Sequence, residues 1–586
     1  MRCFPQQRVL SAFCIVFVLQ ILAFQFSKAQ SRRPSTNLGP VTLGGTVGIR
    51  TDTYRANGIN DRRPNGSGQI FAKTTATWNS ARYSLDFLFS TDDERIKQSQ
   101  NRFAFSAAYK NWFGTLGFFS PNFNKFGLNG ATIRGGHVRY SRDNIHLAFL
   151  LGQSQRAVDT GIGAVIRRPT FQRNMFSARV GIGSENKNYV HLSGLLARDK
   201  ASSLTNSTFV TPAENALITP AFGLKLLENR LSINGEVTAS AFSGDTRSSR
   251  NESSDTPGFF GLFTPRVGSR FDFASAFTLR YTHLDFSESV SPYLDQLNLL
   301  TSYERINPGF VSLGRPYTRS DQAVFRFNPK FRLLDKKVQF GIDFTSRRNN
   351  LDNVRNATLK RNQIRFNTQA QISPSLFLNA AYLRMSNKNE SLLDDPALAF
   401  LNQRFVTNSF MIAPTLSTQL NGLSHRFSMT LSFQSLSDKT STQSDLPSSS
   451  IGFNNSSTSL SHAVILASGL ALNSSVSLIN SSSTYSDVKA VGLQTGINYS
   501  FFERKLSAGL LSGFSRTTLD LKSISTLEED LNRTEKSTQW TFTLNSTYRF
   551  TSRDIIRLMV RGFQTNQPLR GNFSELQSTL RIEHRF

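Results

Sequence analysis

The sequence predicts an all-β chain, a transmembrane antiparallel up-and-down β-barrel of about 26 strands within a range of roughly 22–26. Three observations predict it. Apolar and polar residues alternate with period two in segment after segment. Short turns and long polar loops alternate between those segments. The chain holds 50 Phe yet is only 38% hydrophobic overall. A disordered chain would lack the aromatics. A helical membrane protein would show repeated apolar runs, and none near the length of a bilayer span follows residue 29. A barrel wall needs only every second residue to be apolar, so its average hydropathy looks soluble.

The alternation is clearest in six segments. Tyr83, Leu85, Phe87 and Phe89 oppose Arg82, Ser84, Asp86 and Ser90. Phe271, Phe273, Phe277, Leu279 and Tyr281 oppose Arg270, Asp272, Thr278 and Arg280. Phe325, Phe327, Phe331 and Leu333 oppose Arg326, Asn328, Lys330 and Arg332. Val338, Phe340, Ile342 and Phe344 oppose Gln339, Asp343, Thr345 and Arg347. Phe427, Met429, Leu431 and Phe433 oppose Arg426, Ser428 and Thr430. Trp540, Phe542, Leu544, Tyr548 and Phe550 oppose Thr541, Asn545 and Arg549. Side chains on a strand point alternately to its two faces, so each segment has one apolar and one polar face.

A soluble sandwich also alternates, but its Greek-key links give no reason for short and long connections to take turns. Short turns are expected near Asn79-Ser80, Arg142 to Asn144, Glu228 to Arg230, Asp335-Lys336, Ser373 to Ser375, Glu503-Arg504 and Thr551 to Arg553. Long loops are expected at 91–100, 156–170, 198–214, 243–268, 347–360, 386–402, 437–454 and 517–536. The first strand is expected at 41–54 and the second at 68–78, with one irregularity at 283–322. Tyr109, Trp112, Tyr140, Trp540, Tyr548 and Phe550 sit toward strand ends, where interfacial girdles place aromatics.

Residues 1–29 read as a secretory signal peptide. Arg2 and Arg8 form a basic start, Val9 to Phe26 is apolar, and Ser27-Lys28-Ala29 offers small residues before Gln30. Residues 30–40 then form a short periplasmic segment and 41–586 the barrel. Cys3 and Cys14 both lie in the expected signal, which leaves no thiol chemistry or disulfide in the exported chain. Net charge is +27. Export and the scatter of the basic residues argue against nucleic acid as the partner.

The final segment alternates Leu576, Ser578, Leu580, Ile582, His584 and Phe586 against Gln577, Thr579, Arg581, Glu583 and Arg585. A terminal aromatic on such a strand resembles the last strand of Gram-negative outer-membrane β-barrel proteins, porin-like and including large uncharacterised barrels. The resemblance implies a location in the cell outer membrane. It implies contact with outer-membrane lipid and lipopolysaccharide, with the barrel-insertion machinery that reads Phe586 as an assembly signal, and with envelope proteins. It implies no cofactor. The first strand starts too soon to leave space for the plug of a TonB-dependent receptor.

Two stretches break the pattern. Residues 302–322 carry Pro308, Gly309, Gly314 and Pro316 around Arg305, Arg315 and Arg319. Residues 117–136 carry Gly117, Pro121, Gly127, Gly130 and Gly135-Gly136 around Arg134. Proline removes a ladder donor, so these parts are expected to leave the wall. They are either ordinary external loops or, in one case, a loop folded into the lumen. In the second reading Arg305, Arg315, Arg319 and Arg134 are the candidate constriction.

Arg82, Arg270, Arg280, Arg326, Lys330, Arg332, Arg347, Arg426 and Arg549 lie on the polar strand faces and are expected to line the lumen, because a charge on the lipid face costs about 2–4 kcal/mol at the midplane. No catalytic or metal arrangement stands out. His137, His146, His191, His283, His425, His462 and His584 are scattered, Ser461 and His462 are adjacent and so face opposite ways, and Asp394-Asp395 alone do not specify a calcium site. The expected function is a passive or gated pore for polar, anionic solutes, and not an enzyme. The alternative is a barrel subunit of an envelope assembly for secretion, adhesion or anchoring. An outer-membrane hydrolase ranks last.

Overall fold

The computed structural model describes residues 36–38, 40–92, 101–159, 169–184, 187–205, 210–251, 256–259, 261–284, 293–393, 398, 401–440, 452–466, 468–522, 533–567 and 571–586. The expected signal segment and Asp394-Asp395 lie outside these residues.

A three-residue strand β1 (Thr36–Leu38) pairs with the start of β2 (Val41–Asn57). There follow β3 (Gly66–Trp78), β4 (Ala81–Ser90), β5 (Arg102–Tyr109), β6 (Trp112–Phe119), β7 (Ile133–Arg142), β8 (Ile145–Gln155), β9 (Gln172–Gly183) and β10 (Tyr189–Lys200). Next come β11 (Glu214–Leu226), β12 (Leu231–Ser243), β13 (Arg270–Leu284), β14 (Leu294–Ile306), β15 (Gln322–Leu333), β16 (Val338–Asn349), β17 (Ala357–Gln371) and β18 (Leu376–Ser391). The rest are β19 (Gln403–Leu420), β20 (Leu423–Asp438), β21 (Phe453–Ile465), β22 (Ala471–Ser483), β23 (Ser486–Phe501), β24 (Leu506–Leu521), β25 (Arg533–Arg549), β26 (Asp554–Asn566) and β27 (Phe573–Arg585).

Each strand from β2 to β27 pairs antiparallel with the next, and β27 returns to β2, with Thr46 opposite Arg585 and Asn57 opposite Ser574. The wall is therefore a closed 26-stranded barrel. Closure leaves no sheet edge, so each strand from β2 to β27 is paired on both sides, a condition for a sheet to cross lipid.

One face of the wall is apolar and unprotected. Phe149, Phe176, Val180, Phe273, Phe410 and Phe433 are all exposed on it. Leu151 and Ile182 are 66% and 69% exposed. A surface of this kind around a whole barrel is incompatible with water and fits acyl chains. The opposite face carries the polar alternates and faces inward.

The connections take turns as expected. At one end β3–β4, β5–β6, β7–β8, β15–β16 and β19–β20 are joined by tight turns. Asn79, Lys110, Asp143, Asp335 and Asn421 have positive φ there, and Gly422 follows at φ 78°. Such turns match the twist of paired strands. Trp78, Tyr109 and Trp112 gather exposed at this end, and the Trp112 and Tyr140 ring centroids are 4.7 Å apart. At the other end the loops are long, except for the tight link 484–485 between β22 and β23.

Three expectations need correction. Residues 302–306 do not leave the wall: they complete β14 and pair with β13 and β15. Gly117 and Arg134 to Gly136 are likewise inside β6 and β7, so only 120–132 departs. The Ser/Asn-rich residues 473–483 form most of β22. Proline is also less disruptive than expected. Pro220, Pro329 and Pro414 stand inside strands, each holding register with one neighbour while the ladder to the other skips it. A residue without an N–H can interrupt one ladder and leave the second intact.

Candidate functional site

Two loops of the long-loop end, 120–132 and 307–321, turn inward and pack on the inner face of β7–β15. The apolar contact that seats them is the largest buried cluster among the described residues. Phe126, Leu128, Phe310 and Leu313 from the loops meet Ile133, Leu150, Met175, Leu195, Leu217, Ala274 and Ile306 from the wall. Phe126 and Leu128 are wholly buried. Burying a side chain of this size contributes about 1.5–3 kcal/mol each, enough to hold a loop against its own entropy.

Polar wall residues then fix each loop in register. The Glu236 carboxylate of β12 accepts from the Lys125 and Phe126 amides, both at 2.9 Å. The Asn124 side-chain oxygen closes the turn by accepting from Gly127 (2.5 Å) and Leu128 (3.0 Å), while its nitrogen donates to Ser193 Oγ at 2.7 Å. Asn215 of β11 donates to the Val311 carbonyl (3.2 Å) and accepts from the Leu313 amide (3.0 Å). Asp272 of β13 accepts from the Gly309 amide and from Asn307 Nδ2, each at 2.8 Å. Buried amides of irregular backbone must find such partners.

The loops also hold each other. Ser312 Oγ donates to the Gly127 carbonyl at 2.7 Å, and Arg315 Nη1 donates to the Lys125 carbonyl at 2.8 Å. The Arg315 guanidinium lies 5.9 Å from the Phe126 ring centre. Lys125 Nζ is 2.6 Å from Glu304 of β14. At the crossing, a Cβ on Gly314 would stand 2.4 Å from the Gly127 carbonyl oxygen and 2.7 Å from Leu195 Cδ2, so only glycine fits.

Where the second loop rejoins the wall there is a polar cleft of about 240 Å³, lined by Glu304, Arg315, Tyr317, Arg319, Gln322 and Arg347. Among the described residues neither Arg319 nor Arg347 is ion-paired. Of the four arginines expected at a narrow point, the structure brings Arg315 and Arg319 together. It sends the other two elsewhere. Arg305 shares the outward register of Tyr303 and is 2.9 Å from Asn307 Oδ1. Arg134 follows the inward Ile133 and so points outward, 5.9 Å from the Phe118 ring. Strand alternation, not proximity to glycine and proline, decides both.

Arg82, Arg270, Arg280, Arg326, Lys330, Arg332, Arg347, Arg426 and Arg549 all fall on the inward register of their strands. Sequence reasoning missed the anchors Glu236 and Asn215. Glu236 is the one acid on the inward face of β12, and Asn215 the one amide on that of β11. It also missed an inward cluster at the closing seam, where Glu583 is surrounded by Arg557 (3.3 Å), Arg581 and Arg585 (3.6 Å). Of the histidines, His425 and His462 come together, Nδ1 to Nε2 at 3.0 Å, on the outward face beside Phe427.

No family model matches the chain, and no curated protein matches it. Solved structures of low identity do. A P pilus tip assembly intermediate of E. coli, PapC-PapD-PapK-PapG, matches at 10% identity and TM-score 0.43 over 95% of this chain. The chain spans 62% of the length of that match. The outer membrane protein opdK of Pseudomonas aeruginosa matches at 8% identity and TM-score 0.31, over 71% of this chain and 99% of opdK. BauA, the ferric preacinetobactin receptor of Acinetobacter baumannii, matches at 9% identity and TM-score 0.37, over 92% of this chain and 80% of BauA. The reading of this chain rests on its own pairing and packing: it is a 26-stranded transmembrane antiparallel β-barrel with two loops folded against its inner wall.

Proposed function

We propose that the chain is an outer-membrane pore for polar solutes, narrowed on one side by loops 120–132 and 307–321 and favouring anions. The observation that carries this is the seating of both loops on the inner wall with Arg315, Arg319 and Arg347 around one open cleft. Barrels of about 16–18 strands already leave an aqueous channel, so a wider one needs internal structure to be selective. The loops cover only the β7–β15 side.

The charge of that structure favours anions. Nine basic side chains named above share the inward register with Asp86, Asp272 and Asp343, and Asp272 is already held by Asn307 and Gly309. A basic lumen concentrates anions and excludes cations. Phe586 ends the closing strand, its amide donating to the Gly45 carbonyl at 3.1 Å, and we assign it the role of assembly signal.

Reversal potentials across planar bilayers under a salt gradient test the reading. The wild type is expected to be anion-selective, and Arg315→Gln/Arg319→Gln/Arg347→Gln to lose most of that preference. Cation selectivity would overturn the anion assignment. A silent, closed barrel would favour the role of a subunit in an envelope assembly.

A further inference from the structure

The inner wall away from the docked loops holds a second cleft, of different chemistry from the arginine cleft. It has a volume of about 360 Å³ and lies at the long-loop end of β24–β27. Small-molecule sites run from about 300 to 1,000 Å³, so this one is larger than a lone ion needs.

Strand register builds it. Ser515, Gln539, Thr565 and Phe573 stand directly opposite one another in one row across β24, β25, β26 and β27. Thr517 and Ser537 are paired in the next inward row toward the loops. Phe563 lies one inward row nearer the turns on β26. Gln539 shares the inward register of Arg549, and pairing carries that register to the others. A third loop, 58–65, closes the β27 side. Its Arg62 guanidinium is 3.1 Å from Glu575 and 5.7 Å from the Phe573 ring centre. Arg63 Nη1 donates to Gln577 Oε1 at 3.1 Å.

The lining is uncharged apart from Arg62, whose charge Glu575 offsets. It presents four hydroxyls, from Ser515, Thr517, Ser537 and Thr565, and two amides, from Gln539 and Gln567. Among the described residues none of these six side chains has a hydrogen-bond partner. On the docked side the comparable groups, Asn215 and Glu236, are taken up by loop backbone. Hydroxyls and amides both donate and accept, and those facing water can exchange it for a ligand. The Phe563 and Phe573 rings supply an apolar corner, with centres 5.8 Å apart and planes at 86°.

The matching ligand carries many hydroxyls, no charge, and C–H faces that rest against aromatic rings. That chemistry is a sugar's. An anion gains little here, because the one cation of the lining is already paired. We propose that this cleft is a binding subsite for a neutral saccharide. Phe563 and Phe573 take the C–H face of a sugar ring, and Gln539, Gln567 and the hydroxyls take its OH groups. The subsite deepens the pore reading by naming a solute class and rests on its polar lumen. Binding is read without conduction, so the subsite stands whether or not the barrel proves anion-selective.

The test is saturation-transfer NMR on the full chain, in a detergent without a sugar headgroup. The probes are maltotriose, cellotriose and chitotriose, with trigalacturonate as the anionic counterpart. At least one neutral trisaccharide should show transfer, strongest at ring C–H protons, and its affinity should not change with salt. Phe563→Ala/Phe573→Ala should weaken that binding roughly tenfold. Gln539→Ala, which leaves the apolar corner intact, should also weaken it and gives the reading if the double variant fails to fold. Heat-modifiable mobility verifies that each variant is a closed barrel. No transfer to any of the neutral sugars, wild-type binding by the folded variants, or binding of trigalacturonate alone that fades with salt would each overturn the proposal.

Discussion

The two sides of the barrel solve the inner face differently. Beneath the two loops, on β8–β13, the inward residues in contact with them are small or apolar: Ala148, Leu150, Met175, Ser177, Leu195, Ala197, Leu217 and Ala274 are buried there. Along β16–β25 the inward residues stay polar, as with Asp343, Arg361, Arg365 and Asn367. The outward face carries an apolar belt on both sides. A stretch of strand whose inner face is small or apolar as well as its outer face therefore marks where something docks inside, and a stretch that alternates marks open lumen. The barrel architecture is continuous around the ring, and the inner side-chain pattern decides which part of it is occupied.

Breaking the docked side should give the largest effect. Phe126→Ala removes a wholly buried ring at the centre of the loop contact, and truncations of this kind cost about 3–5 kcal/mol. The loops should undock while the wall stays closed. A cysteine at Ser312, buried in the wild type, should become reactive to a water-soluble thiol reagent in that variant. No gain in labelling would mean that the loops are held by other contacts. Gly314→Ala should do the same more weakly. Its Cβ would press on the Gly127 carbonyl and Leu195, and overpacking costs about 1–3 kcal/mol. Labelling of the same cysteine measures it.

The open side should respond in charge rather than in structure. Arg347→Gln removes an inward guanidinium with no ion-pair partner among the described residues, so its cost to stability should be near zero while anion selectivity falls. A drop in heat-modifiable stability without a change in reversal potential would reverse that assignment. The smallest effect on the finished structure belongs to Phe586. Its deletion should lower the amount of folded barrel in the membrane yet leave the conductance of each assembled barrel unchanged. Unchanged levels would remove its role as an assembly signal.

Much of the wall was legible because lipid on one side and water on the other impose a strict two-residue period, as in Phe325 to Leu333 and Trp540 to Phe550. The turns were legible because Asn79, Asp143 and Asp335 are residues that tolerate positive φ. The inner site was legible only in part. Glycine and proline correctly flagged 120–132 and 307–321 as off the wall, but they also drew in the flanking strands, and Arg134 and Arg305 were misplaced for that reason. In Ser302 to Ile306 the alternation itself places Arg305 with Tyr303 on the outer face. Glu236 and Asn215 could not be read as anchors, because their loop partners are about a hundred residues distant. The uncharged cleft of β24–β27 was invisible for the same reason. Its members are far apart in sequence and meet only through register.

Single-channel conductance is the most direct measurement of the central claim that two inward loops narrow an otherwise open barrel. It should be compared between the wild type and a chain whose residues 121–131 are replaced by a short Gly-Ser link. The account predicts a conducting wild type and a clearly larger conductance in the replaced chain, with the same heat-modifiable barrel. Equal conductance in the two chains would contradict it.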